Sequence, residues 1–181
     1  AVGTYPVIIS ATETANYLAA KDTVSLIIEK ANLSGIALRD SVFTYDGTPK
    51  ALAVTGLPEG ATATYTGNGK INAGLYTVTA LVKRTNYQDS TLTATLTIRK
   101  AAAVITAVPV QKYIYDGTVK NVIASLNHTE TVLTYSPPQG YSAAGTYPVI
   151  VSVAETANYL KTADTVSLVI EGAAITGVVF P

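Results

Sequence analysis

Ala143-Ala144-Gly145-Thr146-Tyr147-Pro148-Val149-Ile150 restates, with one substitution, the opening of the chain, Ala1-Val2-Gly3-Thr4-Tyr5-Pro6-Val7-Ile8. A looser copy, Asn72-Ala73-Gly74-Leu75-Tyr76-Thr77-Val78, lies between them. The tyrosines at 5, 76 and 147 set a period of 71 residues, and a fixed period points to an array of small modules. Each copy runs on to an Asn-Tyr pair: Asn16-Tyr17, Asn86-Tyr87 and Asn158-Tyr159. A second anchor, Tyr45-Asp46-Gly47-Thr48, returns once, as Tyr115-Asp116-Gly117-Thr118.

These anchors divide the chain into the back half of one repeat (1–30), two complete repeats (31–100 and 101–172) and the start of another (173–181). Ala173-Ala174-Ile175-Thr176-Gly177-Val178 echoes the approach to the last repeat, Ala102 to Val108. With no initiator Met and half a repeat in front, the chain reads as an excerpt of a longer array.

Period-2 alternation marks half-buried strands within each copy. Leu92, Ala94, Leu96 and Ile98 share one face, and Thr91, Thr93, Thr95 and Thr97 the other. Val24, Leu26 and Ile28, like Val166, Leu168 and Ile170, are expected on the corresponding buried face. The preceding strand turns Tyr76, Val78, Ala80 and Val82 inward, matched by Tyr147, Val149, Val151 and Val153. Phe43 and Tyr45, with Tyr113 and Tyr115, lead into the Asp-Gly turns. Shorter strands are expected near Ala51–Val54, Ala63–Tyr65, Asn121–Ala124 and Val132–Tyr135. Residues 13–21 contain helix formers, but their counterpart at 83–90 is polar, so a loop is expected. About five strands per repeat and little helix follow.

No flexible linker separates the copies. Arg99-Lys100-Ala101-Ala102-Ala103 and Glu29-Lys30-Ala31-Asn32-Leu33 run almost from strand to strand, which predicts docked neighbours. At about 3.3 Å per residue, strands of ~10 residues predict a rod on the order of 80–90 Å. Residues 1–30 alone make only a two-stranded hairpin, marginal in water. Either it docks on the first complete repeat, or it pairs with another molecule, or the boundary lies elsewhere in the period.

Ala-Gly-x-Tyr-x-Val ahead of a strand resembles the tyrosine corner of immunoglobulin-type sandwiches, in which the hydroxyl bonds backbone a few residues upstream. Tyr5, Tyr76 and Tyr147 would hold that place, with Val7, Val78 and Val149 where a cysteine would stand. The wider pattern is Tyr-Asp-Gly-Thr, Gly56-Leu57-Pro58-Glu59-Gly60, Tyr65-Thr66-Gly67-Asn68-Gly69, Ala-Gly-x-Tyr, Asn-Tyr and a closing Leu-x-Ile. It resembles the MBG/YDG family of bacterial adhesin repeats over essentially the whole chain. The resemblance implies tandem all-β, Ig-like modules, used as stalks in large secreted or cell-surface proteins, with no catalytic residues. The last copy departs from it, with Ser125-Leu126-Asn127-His128 in place of the Gly-Leu-Pro-Glu turn.

Composition excludes several functions. Twelve basic and twelve acidic residues balance, leaving no electrostatic footprint for nucleic acid. No apolar run reaches the roughly 18–20 residues of a membrane span, so the chain is not expected to be membrane-embedded. Cysteine is absent, which removes thiolate chemistry and cysteine-based zinc sites. His128 is the only histidine, so neither a histidine triad nor a His-based metal site can be assembled.

Asp46 and Asp116 read as Asx turns rather than calcium ligands, since calcium needs several converging oxygens. Lys50 and Lys120 read as solvated rather than as halves of a Lys–Asn crosslink. No catalytic, metal or cofactor residue is expected. Tyr17, Tyr87 and Tyr159, beside their asparagines, are candidate contacts to a sugar or protein, although packing against the sheet end suits their recurrence better. The Thr91–Thr97 face is a second candidate surface. The expected role is a non-enzymatic spacer in an extracellular or cell-surface adhesin, with neighbouring repeats of the same chain as its first partners. Direct binding of host glycan or surface protein is the alternative.

Overall fold

The computed structural model describes residues 1–177, so part of the expected following repeat at 173–181 lies outside the described residues. Fourteen strands form in chain order: β1 (Gly3–Ala11), β2 (Ala20–Ile28), β3 (Ser41–Thr44), β4 (Thr62–Thr66), β5 (Gly74–Lys83), β6 (Ser90–Arg99), β7 (Ala101–Ala102), β8 (Ile105–Ala107), β9 (Val110–Ile114), β10 (Ala124–Leu126), β11 (Thr134–Ser136), β12 (Gly145–Val153), β13 (Tyr159–Leu160) and β14 (Thr162–Glu171). The described residues are all-β, and no helix occurs among them. Residues 13–21 form a turn and the start of β2, in keeping with the loop expected there.

Two compact units can be distinguished. The first comprises Ala1–Val42, Pro49–Lys70 and Leu75–Thr97. The second comprises Phe43–Thr48, Ile71–Gly74 and the chain from Ile98 onward.

Strand alternation sets both cores. In the sheet of order β3-β6-β5-β4, Val78, Ala80, Val82 and Leu96 are fully buried, while Thr93 is exposed. In the second unit the sheet runs β11-β12-β14-β9. β12 and β14 are antiparallel from Gly145↔Ile170 to Val153↔Thr162. β9 joins β14 in parallel, from Val110 opposite Ser167 to Ile114 opposite Glu171. The small β10-β8 sheet closes the other side. Its Ile105, Ala107 and Ala124 pack on Val149, Val151, Val166 and Leu168, giving a two-layer sandwich. Burying each such aliphatic side chain contributes about 1.5–3 kcal/mol relative to exposure.

The β1–β2 hairpin has the same ladder, from Gly3↔Ile28 to Ala11↔Ala20, but a different environment. Val24, Leu26 and Ile28, expected to be buried, are exposed, because no sheet covers them among the described residues.

The short strands depart furthest from expectation. Ala51–Val54 forms no strand. Its backbone is satisfied by side chains instead: Leu52 N–H donates to Asn68 Oδ1 and Asn68 Nδ2 to Leu52 O, both at 2.8 Å, and Val54 N–H donates to the Tyr65 hydroxyl at 2.8 Å. A side-chain amide that satisfies both backbone groups removes the need for a ladder. Gln111 does the same for Ile123, donating Nε2 to its carbonyl at 2.7 Å and accepting its N–H at 2.8 Å. The strand expected at Asn121–Ala124 accordingly begins only at Ala124, as β10. That expected at Val132–Tyr135 is reduced to β11.

Glycine is required where chains touch. Gly67 sits at φ 79°, and a Cβ there would overlap the Thr77 carbonyl oxygen.

Candidate functional site

The Asn-Tyr segment is a preformed turn. Thr156 N–H donates to Tyr159 O at 3.0 Å, and Thr14 N–H donates to Tyr17 O at 2.9 Å, closing Thr-Ala-Asn-Tyr in both outer copies. In the last copy the Thr156 hydroxyl also accepts from Asn158 N–H at 3.3 Å and from Tyr159 N–H at 3.0 Å, a local pattern that threonine favours.

Within the second unit this turn gathers a polar cluster. Asn158 is the one buried polar residue among those described. Its Oδ1 accepts from Ala73 N–H at 2.9 Å. Its Nδ2 donates to Glu130 Oε1 at 2.9 Å and reaches Asn72 Oδ1 at 3.4 Å. Its backbone carbonyl accepts from Ala101 N–H at 2.8 Å, beside the parallel pairing of β13 with β7. Both ends of the carboxamide are thus satisfied, as a buried amide requires.

Glu130 braces the cluster, accepting from the Thr156 hydroxyl at 2.6 Å, and those two bonds, Thr156 first and Asn158 second, hold its carboxyl below the usual range. Desolvation, and then the charge of Glu130, raises the Tyr45 hydroxyl above the ordinary phenol value. Tyr159 stacks on His128, with ring centroids 3.7 Å apart and planes 7° from parallel, and meets Tyr45 edge-on at 5.5 Å. Lys100 donates to Glu155, which lowers that carboxyl, and to Thr156 O at 2.7 Å.

The first unit repeats the arrangement in lighter form. Asn86 lies at φ 65°, a left-handed conformation that asparagine tolerates. Its carbonyl accepts from Ala31 N–H at 3.1 Å, and Gln88 N–H returns to Ala31 O at 2.8 Å. Asn86 Oδ1 accepts from Val2 N–H at a longer 3.4 Å. Arg84 lies 4.5 Å from the Tyr87 ring centroid. Val2, Ala31, Asn86 and Tyr87, with Ala1, Ile28 and Glu29, line an open groove of about 300 Å³. Tyr17, by contrast, is 77% exposed.

Tyr147 donates its hydroxyl to Ala143 O at 3.0 Å, and Tyr5 to Ala1 O at 2.9 Å. Tyr76 is half-buried, with the Lys70 ammonium 5.5 Å from its ring centroid. The ring explains the glycine two residues earlier: a Cβ on Gly145 would stand 3.0 Å from the Tyr147 hydroxyl oxygen.

Elsewhere the acidic turns are self-contained. Asp46 Oδ1 accepts from Thr48 N–H at 2.9 Å and from its hydroxyl at 2.6 Å, and Asp116 repeats this with Thr118 at 2.9 and 2.7 Å. Lys120 is not the solvated lysine the sequence suggested: only 16% of its side chain is exposed, and its ammonium donates to Asp116 at 2.6 Å and to Thr118 at 2.8 Å. Chiefly that ammonium holds the Asp116 carboxyl far below the usual range. No group of three or more potential metal ligands occurs among the described residues. Among them, too, no helix is long and apolar enough to cross a membrane.

Residues 34–102 match the family described as MBG domain. This segment is similar to that family. It contains the Asn68 and Gly67 turns and the Asn86-Tyr87 pair. No curated protein matches the chain. Among solved structures it is similar to PcdhgB3 EC1-4, at 12% identity and TM-score 0.36, over 94% of this chain and 58% of that one. It is similar to Drosophila N-cadherin EC1-3, at 10% identity and TM-score 0.32, over 94% and 78%. A SusE-like surface-located polysaccharide-binding protein from Bacteroides thetaiotaomicron aligns at 11% identity and TM-score 0.31, over 76% and 34%.

Proposed function

We propose that this chain is a run of MBG repeats, spanning 31–100 and 101–172 with partial copies at 1–30 and 173–181, that serves as a non-catalytic spacer in a bacterial cell-surface or secreted adhesin. The observation that carries this reading is the internal use of the Asn-Tyr pairs. Tyr159 is packed between His128 and Tyr45, and the backbone of Asn86-Tyr87 is joined to Ala31. In these two copies the recurring pair is thus spent on holding the chain together. Tyr5, Tyr76 and Tyr147 serve as tyrosine corners at the start of β1, β5 and β12.

The alternative, direct contact with glycan or protein, draws on the exposed Tyr17 and its neighbour Leu18. A glycan array and a mucin pull-down with the full chain separate the two. The spacer reading expects no saturable binding. Saturable binding that is lost in Tyr17→Ala or Tyr87→Ala would replace it with the binding-module reading.

A further inference from the structure

We propose that the asparagine of each Asn-Tyr pair is a docking hook that ties the first amide of its own copy of the repeat to the Gly corner of the copy before it. By the same pattern, the exposed Asn16-Tyr17 turn is a docking surface for the Gly corner of another repeat of this kind. The inference rests on the repeat reading but not on the absence of a glycan ligand.

The argument begins with positional equivalence. Val2 and Ala73 each immediately precede the glycine of a Gly-x-Tyr corner, and Ala31 and Ala101 each open the next copy. In the first unit Asn86 takes Val2 N–H on its side chain and Ala31 N–H on its backbone carbonyl. In the second unit Asn158 takes Ala73 N–H and Ala101 N–H in the same two ways. The two sites lie in different units and share no residue, so the recurrence is a second, independent instance.

The chemistry selects asparagine. The hook needs a short acceptor that reaches a corner N–H while its own carbonyl remains free for the linker. In the second unit it also needs a donor for Glu130. Aspartate offers no such donor, and a glutamine would carry the amide one methylene too far. The adjoining tyrosine supplies the apolar wall, by ring stacking at Tyr159 and under Arg84 at Tyr87.

At Asn16 the same turn stands exposed, with no corner amide held by its side chain among the described residues. The turn is already closed by the Thr14–Tyr17 pair, and Tyr17 and Leu18 are 77% and 83% exposed. Preorganisation of this kind lowers the ordering cost of docking. The partner is defined by what the side chains of Asn86 and Asn158 hold: a backbone N–H just before a corner glycine.

Amide hydrogen exchange on the full chain tests the hook, because it reads local opening site by site. Asn158→Ala is expected to speed exchange at both Ala73 and Ala101 by about tenfold or more, with Leu168 and Val166 within about twofold of the parent. Ala101 is the informative amide, since its own acceptor is backbone and survives the substitution. Loss at Ala73 alone would mark an ordinary local bond, and equal loss at Leu168 would make Asn158 a core residue; either overturns the proposal. Asn86→Gly, which removes the side-chain acceptor and keeps the positive φ, is expected to speed exchange at Ala31 in the same way, and an unchanged Ala31 overturns the proposal. Asn16→Ala should leave all these amides unchanged. If the glycan array also proves positive, the hook stands and only the spacer reading falls.

Discussion

The hairpins β1–β2 and β12–β14 have nearly the same sequence and the same register, yet their inner faces differ. Tyr5 faces Leu26 and Val7 faces Val24, as Tyr147 faces Leu168 and Val149 faces Val166. Val149, Val166 and Leu168 are fully buried, whereas Val7, Val24 and Leu26 are 41%, 44% and 52% exposed. Strand pairing is therefore written locally, into alternation and the Gly-x-Tyr corner. Burial is supplied from a distance by β9, β11 and the β8–β10 layer, which β12–β14 has and β1–β2 lacks among the described residues.

The sharpest way to break this comparison is to remove the same leucine from each hairpin. Leu168→Ala is expected to cost about 2–5 kcal/mol of the second unit's stability, and Leu26→Ala about 1 kcal/mol or less. Chemical denaturation of both variants gives the answer. Equal costs would show that the first hairpin is covered in solution.

The corner glycine comes next. Gly145→Ala places a Cβ 3.0 Å from the Tyr147 hydroxyl oxygen in a packed setting, for an expected loss of about 1–3 kcal/mol. At Gly3 the equivalent contact is 3.4 Å and the ring has open space to move into, although the φ of 154° adds some strain. A smaller loss is expected there, measured as a shift in unfolding midpoint.

Smaller again is the hydroxyl itself. Tyr147→Phe removes the bond to Ala143 O and should cost about 0.5–1.5 kcal/mol, with Tyr5→Phe at or below the bottom of that range. Thermal melts of the two variants rank them directly.

Acid should separate the two hairpins least, but in a defined direction. Asp116, Glu130 and Glu155 all lie in the second unit and have depressed carboxyls. A depressed folded-state value means the unfolded chain binds protons more readily. These groups therefore contribute stability above the ordinary carboxylate range near ~4 and lose it as pH falls through their lowered values. Monitored by amide exchange between about pH 5 and pH 2.5, the second unit should weaken while the β1–β2 ladder changes little. Glu130→Gln should remove its part of this dependence.

How much of this was legible in sequence follows from the distance between partners. Val78, Val82, Leu96 and Ile98 announced themselves by alternation, because a strand's two faces are read from neighbours two residues apart. The Asn158 hook did not, because Glu130, Ala101 and Ala73 lie far from it along the chain. Its one visible signal was the return of asparagine before tyrosine at 16, 86 and 158, and the bulkier tyrosine drew the functional reading instead. Ala51–Val54 read as a strand because its residues suit one. What decided otherwise was the carboxamide of Asn68, which took both backbone groups of Leu52. Lys120 read as solvated for a similar reason: a lysine after a turn carries no mark of the carboxylate that claims it.

The parallel pairing of β9 with β14 has a mechanical consequence. The chain enters this sheet through Val110 and leaves through Glu171, on strands that run the same way side by side. Force applied at those two points pulls the strands past each other along their length. The rungs from Val110–Ser167 to Ile114–Glu171 then bear the load together instead of peeling one at a time. Stretched at those two points, a repeat built this way is loaded in shear across the whole β9–β14 ladder.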